Sequence, residues 1–302
     1  MHASNPGAPA RAPIARPRRP RELNDPLNRY LYHPLAWQLA RLLAHTPITP
    51  NMVSVLGGLM VIAAGIAYAQ PAGLVYPASA LLGLALHMGW HVVDGADGDL
   101  ARLTGRASPI GEMVDGICDY ASHVVLYVIL AWILQHQIGW VSWAIASAAG
   151  ASHIVQSNHV EVQRRSYQYW VYGVPWLKTT HAADDASTRR GGLGALAGAY
   201  LWLAGGVTPY SERIDKAVEN AQGDSAALER IRAAVREEIP PLTLIWKFLG
   251  PNPRAIVLGL SMLAGSPLWY FIYQAVVLNI LLVFSIRAHN AAWKRIAVQL
   301  AH

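Results

Sequence analysis

Between residues 94 and 119 the chain sets four carboxylates, Asp94, Asp97, Asp115 and Asp119, inside or beside otherwise apolar segments. An unpaired charge on a membrane-crossing segment costs at least ~2.5 kcal/mol, so such a cluster needs a compensating partner. Helical spacing groups the acids. At about 3.6 residues per turn, Asp94, Asp97, Gly98 and Ala101 share one face, with Arg102 at its edge. Gly111, Asp115 and Asp119 recur every fourth residue and make a second stripe on the helix that follows. If the two helices are neighbours, the stripes face each other. Facing carboxylates repel unless protons or cations stand between them, and all-oxygen ligation suits hard divalent ions such as magnesium or manganese. Gly98 and Ala101 remove bulk beside the acids, which lets a flat or phosphorylated part of a ligand approach the backbone. Asp99 points off this face and is expected to be a solvated or paired surface acid.

The eight residues Asp94, Asp97, Gly98, Ala101, Arg102, Gly111, Asp115 and Asp119, in this order and spacing, resemble the complete signature of the CDP-alcohol phosphotransferase (CDP-alcohol phosphatidyltransferase) family, and no position departs from it. Thr49, Pro50 and Asn51, ahead of the first apolar run, are also similar to that family. The resemblance implies a membrane enzyme of phospholipid biosynthesis in which a hydroxyl acceptor attacks a CDP-linked donor, CMP leaves and a phosphodiester forms. It further implies that Asp94, Asp97, Asp115 and Asp119 hold two metal ions, Mg2+ or Mn2+, and that Asp119 is also the general base. Gly98, Ala101, Arg102 and Gly111 would shape the nucleotide site, with Arg102 either on a phosphate or clamping a carboxylate. Two substrate pairings stay open: CDP-diacylglycerol with a small polar alcohol, or a soluble CDP-alcohol with a lipid hydroxyl. The spans themselves lack Lys and Arg, which argues against a pocket for a phosphorylated acceptor deep among the helices, although Arg164, Arg165, Arg254 and Arg287 stand near helix ends. A homodimer is expected from the resemblance alone.

Composition points the same way. With 53% hydrophobic and 14% charged residues, the chain reads as a polytopic membrane protein rather than a soluble one. A net charge of +6 suits either nucleic acid or anionic lipid, and the distribution of the charge decides between them. All 24 Lys and Arg fall in the amino-terminal region, the motif turn, residues 164–254 or the carboxyl tail, while the turns near Pro71, Gln137 and Ser266 carry none. That asymmetry is the signature of cytoplasmic segments. It predicts a bacterial inner-membrane protein with both termini and the acids on the cytoplasmic side, bound to membrane lipids and not to nucleic acid. Cys118 is the single cysteine, so no disulfide forms within the chain, and its apolar setting favours packing over chemistry.

The elements that must position the motif follow from periodicity and punctuation. Residues 1–24 hold prolines and Arg11, Arg16, Arg18, Arg19 and Arg21 without an apolar stretch, and read as a disordered basic arm rather than a signal peptide. Residues 26–45 read as an amphipathic helix lying on the membrane surface. The fold class expected is all-α, with six transmembrane helices at about residues 52–69, 75–103, 109–135, 140–163, 255–264 and 266–287, numbered TM1 to TM6. The domain reading is an arm (1–24), the interfacial helix with TM1–TM4 and the motif (25–163), a helical cytoplasmic insertion (164–254), and TM5–TM6 with a basic tail (255–302). Within the insertion, Leu193 to Val207 is apolar but short and suggests a re-entrant or surface-buried helix. Thr208 with Pro209 and Asp224 with Ser225 read as helix starts, and Trp246, Lys247 and Phe248 as an interfacial anchor.

Polar residues outside the motif suggest an acceptor pocket at His91, His123, His153 and Asn158, with hydrogen bonding between helices as the competing role. His87 and His91, four apart and in line with Asp94, have zinc-ligand spacing, but hard oxygen ligands dominate the site. There is no phosphate loop ending in Gly-Lys-Ser/Thr, no His-Glu-x-x-His and no Gly-x-Ser-x-Gly. The alternative function is an ion or proton transporter that uses the intramembrane acids; metal-dependent CDP-alcohol turnover separates it from the enzyme.

Overall fold

Proline and glycine punctuate the chain, and between them it runs as helix. A computed structural model describes residues 20–70, 73–174 and 210–300, and every regular element among them is helical. In chain order these are α1 (His33–Leu43), α2 (Pro50–Tyr68), α3 (Ala78–Thr104), α4 (Pro109–Ile138), α5 (Val141–Tyr172), α6 (Ser211–Asn220), α7 (Ser225–Glu238), α8 (Thr243–Phe248), α9 (Pro251–Leu263), α10 (Leu268–Ile272) and α11 (Leu278–Gln299). Proline occupies the first position of α2, α4 and α9, where its missing N–H is not needed. Two wide, π-type turns interrupt the regular helix. One, over Asn28–Tyr32, precedes Pro34, which cannot donate to the carbonyl of Tyr30; the other, over Tyr273–Val277, joins α10 to α11.

Among the described residues three helices are long and apolar enough to cross a membrane: Pro50–Tyr68, Ile110–Ile138, and Leu268–Gln299. Large apolar side chains such as Leu56, Leu59, Val124, Trp132, Ile280 and Phe284 are exposed on them, a surface that lipid rather than water accommodates. The chain is an integral membrane protein. Of the six spans expected from sequence, three meet this measure of length and apolarity among the described residues. α3 carries Asp94, Asp97, Asp99 and Arg102, α5 carries Gln156, Asn158, His159 and Gln163, and the 13 residues of α9 reach about 20 Å where a hydrocarbon core needs about 30 Å.

The described helices form two compact units. The first comprises residues up to Met60 together with Gly89–Ser122. Its apolar core sets Ala36 and Ala40 of α1 against Val53 of α2 and against Val93, Ala96 and Leu100 of α3. Small residues on α1 let it lie close to the side of α3 opposite the motif face. The second unit comprises Val61–Met88 and the residues from His123 onward. There Trp170 of α5 and Trp293 of α11, both fully buried, meet edge to face with centroids 4.8 Å apart. Buried Ile214 and Val218 of α6, and Ile231 and Val235 of α7, turn the apolar faces of these helices onto α5 and α11.

Several expectations are revised within the second unit. α5 continues nine residues beyond Gln163 to Tyr172, because Glu161, Arg164 and Arg165 pair along its surface instead of marking its exit. Gly173, at φ 68°, then ends it in the left-handed conformation that glycine adopts without strain. Trp246 is no membrane anchor: it is buried, its Nε1 donates to His289 Nε2 at 2.8 Å, and only Phe248 beside it is exposed. The helix start at Asp224 is as expected, its side chain accepting from the N–H groups of Ala226 and Ala227. These two bonds hold the Asp224 carboxyl below the usual range. Leu193–Val207, Thr208 with Pro209, and the first 19 residues of the arm lie outside the described residues.

Candidate active site

All eight motif residues belong to the first unit. The C-terminal part of α3 brings Asp94, and the N-terminal part of α4 brings Asp115 and Asp119, so that one carboxylate oxygen from each lies within 4.8 Å of the others. All three acids are half-buried. Gly58 of α2 faces α4, where a Cβ would stand in ordinary contact, 3.4 Å from the backbone carbonyl of Cys118 and 3.6 Å from Ser122 Cβ. Cys118 itself is a free thiol, as its setting suggested.

Asp97 stands outside the three-oxygen group. It is buried, its Oδ2 accepts from Ser54 Oγ at 2.5 Å and its Oδ1 from the N–H of Gly98, while Asp115 and Asp94 are its charged neighbours. Sequence reading passed over Ser54, which lies 43 positions before its partner. The available signal was its place one helical turn beyond Asn51 on the stretch opened by Pro50. Asn51 also approaches the motif: a Cβ at Gly111 would lie 3.7 Å from Asn51 Oδ1 and 3.3 Å from Ser108 Oγ.

Arg102 is half-exposed and its guanidinium binds Asp99 Oδ1 at 2.5 Å, which makes it a clamp on a carboxylate. Asp99 is not a surface acid: it is 3% exposed. It lies between Ala96 and Leu103 on the side of α3 that α1 covers, and that packing takes it out of solvent. The same guanidinium bounds the space beside Gly98, where a Cβ would be 3.5 Å from Arg102 Nη2. Ala101 is half-buried one turn further along.

The proposed acceptor residues divide between the units. His91, in the first, is buried with its ring 4.9 Å from that of Tyr32 and 4.5 Å from that of Trp90. In the second, the rings of His123 and His153 are 6.1 Å apart, His153 Nδ1 lies 3.1 Å from Tyr127 Oη, and Asn158 is buried. The metal-ligating group formed among the described residues is the aspartate triad, with no histidine in it.

Residues 47–183 match the family of CDP-alcohol phosphatidyltransferases. Over that segment, a little under half of its length, the chain is similar to this family. The match begins just ahead of α2 and takes in both motif helices and all of α5. No curated relative matches the chain. The match points to phosphotransfer in phospholipid synthesis and makes a divalent cation the expected ligand of the acids. The donor set fits such an ion. Magnesium takes oxygen ligands at about 2.0–2.1 Å, which puts adjacent octahedral ligands about 2.9 Å and opposite ones about 4.2 Å apart, so the three aspartate oxygens, within 4.8 Å of one another, would draw closer to share one cation.

Proposed function

We propose that this protein is a CDP-alcohol phosphatidyltransferase, which transfers a substituted phosphate from a CDP-linked donor to a hydroxyl acceptor and releases CMP. The observation that carries the proposal is the convergence of three carboxylate oxygens, from Asp94, Asp115 and Asp119 on two different helices, within 4.8 Å. Asp94, Asp115 and Asp119 hold magnesium or manganese, with Asp97 completing a two-ion site. When bound, the ions neutralise charge on the pyrophosphate and on the departing CMP.

The rest of the work falls to side chains. Asp119 takes the proton from the acceptor hydroxyl as its oxygen bonds to the phosphorus that carries the donor alcohol, and the bond from that phosphorus to the CMP oxygen breaks. Ser54 holds the Asp97 carboxylate in one orientation, a positioning role. The Gly98 and Ala101 face receives the nucleotide, Arg102 defines its edge, and Gly111 keeps the start of α4 close to Asn51. His91, His123, His153 and Asn158 contribute to acceptor binding.

The distribution of Lys and Arg supports a six-span reading in a bacterial inner membrane, with the termini and the acids cytoplasmic and with α6–α8 in a cytoplasmic insertion, the enzyme working as a homodimer. The test is CMP release by purified protein in lipid with magnesium or manganese, using CDP-diacylglycerol, CDP-choline and CDP-ethanolamine against panels of alcohols. Release that vanishes in Asp115→Asn establishes the transfer and the accepted donor names the lipid half of the product. If every pair fails while metal-dependent proton or ion flux appears in vesicles, the acids belong to a transporter.

A further inference from the structure

α6, α7 and α8 follow one another in the second unit, yet their outward faces are chemically unlike. α6 exposes Glu212, Arg213, Lys216 and Glu219, and α7 exposes Glu229, Arg230, Arg236 and Glu237. Such faces suit water. On α8 the exposed residues are Leu244, at 58%, and Phe248, at 52%, one helical turn apart, and the prolines that flank the helix, Pro241 and Pro251, are exposed as well. The opposite face is also apolar, since Ile245, Trp246 and Leu249 are buried. A helix that is apolar on every side belongs inside a protein or inside a membrane. Protein covers only one side of α8.

The neighbouring span gives the depth of α8. From Leu268 to Arg287, the first charge along that span, the chain rises about 28 Å, close to the ~30 Å of a hydrocarbon core. Val276, Ile280, Val283 and Phe284 are exposed within it, so Arg287 marks the lipid boundary. α7 ends outside that boundary, where Glu238 accepts two bonds from Arg295, at 2.8 and 2.6 Å. Trp246 stands close to it: its ring stacks on that of His289 with centroids 5.5 Å apart, and its Nε1 donates to His289 Nε2. Ile245 and Leu249 share an apolar core with Leu278, against which Leu281 packs, and those leucines lie about 9–14 Å inside the boundary. α8 therefore sinks into the leaflet from Thr243 to Phe248. Its depth also accounts for the length of α9, whose 13 residues cover about two-thirds of a hydrocarbon core and begin just after Leu249. The break between the two helices keeps its backbone paired, with Leu249 N–H donating to Ile245 O at 2.9 Å and Gly250 N–H to Lys247 O at 3.3 Å.

We propose that α8 is a lipid-docked half-helix, with Leu244 and Phe248 against phospholipid acyl chains and the Lys247 ammonium reaching back to the headgroup phosphates, so that α8 and α9 together make one broken span. Lys247 suits that place because its four-carbon stem lies along apolar surface while its charge stays at the headgroups. The occupant is lipid because the Leu244 and Phe248 face continues the exposed apolar surface of the span that α8 packs against. The insertion is thereby divided at Pro240–Leu242: α6 and α7 stay in water, and α8 holds them to the membrane. This division stands independently of the phosphotransfer reading.

The test uses the full-length protein in nanodiscs of phosphatidylcholine and phosphatidylglycerol. In a Cys118→Ser background, Leu244→Cys, Lys247→Cys, Phe248→Cys and, as the wet control, Glu237→Cys each carry an environment-sensitive fluorophore. Labels at 244 and 248 lose most of the iodide quenching seen at 237 and are quenched by lipid with a nitroxide on its acyl chain, whereas the label at 247 is quenched most by a nitroxide on the headgroup. Equal iodide quenching at 244, 248 and 237 puts α8 in water and overturns the proposal. Labels at 244 and 248 shielded from iodide and from both nitroxide lipids show that protein, such as a second copy of the chain, covers this face, which overturns it too. A second readout needs no label. Phe248→Asp lowers the unfolding midpoint in nanodiscs by about 5–10 °C if the side chain meets lipid, while Phe248→Leu holds it. A change within about 2 °C for Phe248→Asp is the behaviour of a wet surface and counts against the docked helix.

Discussion

The two units use the same kinds of polar residue in opposite ways. In the first, Asp94, Asp115 and Asp119 turn oxygens toward one another within 4.8 Å, an arrangement that acceptor groups alone do not stabilise. In the second, buried Asp215 accepts from Trp170 Nε1 at 2.7 Å, and buried His289 accepts from Trp246 Nε1 and contacts Ser285 O at 2.7 Å. Those side chains meet neutral partners, whereas the aspartate triad gathers carboxylates whose mutual repulsion a bound cation would relieve. Not every group there is so paired: Arg254 Nε, Gln274 Oε1 and both side-chain atoms of Asn252 are buried without a partner.

Substitutions that sharpen this contrast begin with the triad. Asp119→Asn is expected to slow CMP release about 10²–10⁴-fold, since it removes a proton acceptor as well as one anionic oxygen of the triad, while CMP binding at saturating metal persists because the nucleotide face is intact. Normal turnover in that variant would take the base role away from Asp119. In the second unit the largest effect is on stability. Trp293→Ala removes a fully buried ring and should cost about 3–5 kcal/mol, seen as a lowered unfolding midpoint in nanodiscs. If turnover fell while the midpoint held, Trp293 would belong to the chemistry and the contrast would fail.

Ser54→Ala is smaller. Releasing the Asp97 carboxylate should raise the manganese concentration needed for half-maximal activity about 10–100-fold, and an unchanged requirement would make the Ser54 bond structural only. The least effect is expected at Glu238, whose carboxylate makes two bonds to Arg295, at 2.8 and 2.6 Å. Those bonds hold Glu238 below the usual carboxylate range. Its stabilisation is therefore present above the unfolded-state value of about 4.3 and is lost as pH falls through the lower folded value. Glu238→Gln should cost less than about 1 kcal/mol near neutral pH and abolish this acid-side component, which unfolding midpoints measured across pH 3–7 would reveal.

The motif face was readable because a helix imposes its period on sequence: spacings of three and four put the acids in line before any packing is known. Punctuation was readable for the same local reason, as Pro50, Pro109 and Asp224 open helices where expected. Legibility failed where satisfaction is non-local. Arg164 and Arg165 read as standing near a helix end, whereas both pair with Glu161 along the surface of α5, which continues to Tyr172. Asp99 looked solvated because its own helix cannot reveal that α1 covers that side. Trp246 looked interfacial because its partner, His289, lies 43 residues further on.

Sequence alone therefore determined the all-helical membrane class, the identity of the acids and the two helices that carry them, since these follow from composition and from a repeat of a few residues. Only the tertiary structure decided that Ser54 restrains Asp97, that Arg102 clamps Asp99, and that Arg254 is buried among neutral partners. Helical periodicity fixes the direction in which a side chain leaves its own helix. What it meets there is supplied by residues tens of positions away, which only packing brings near.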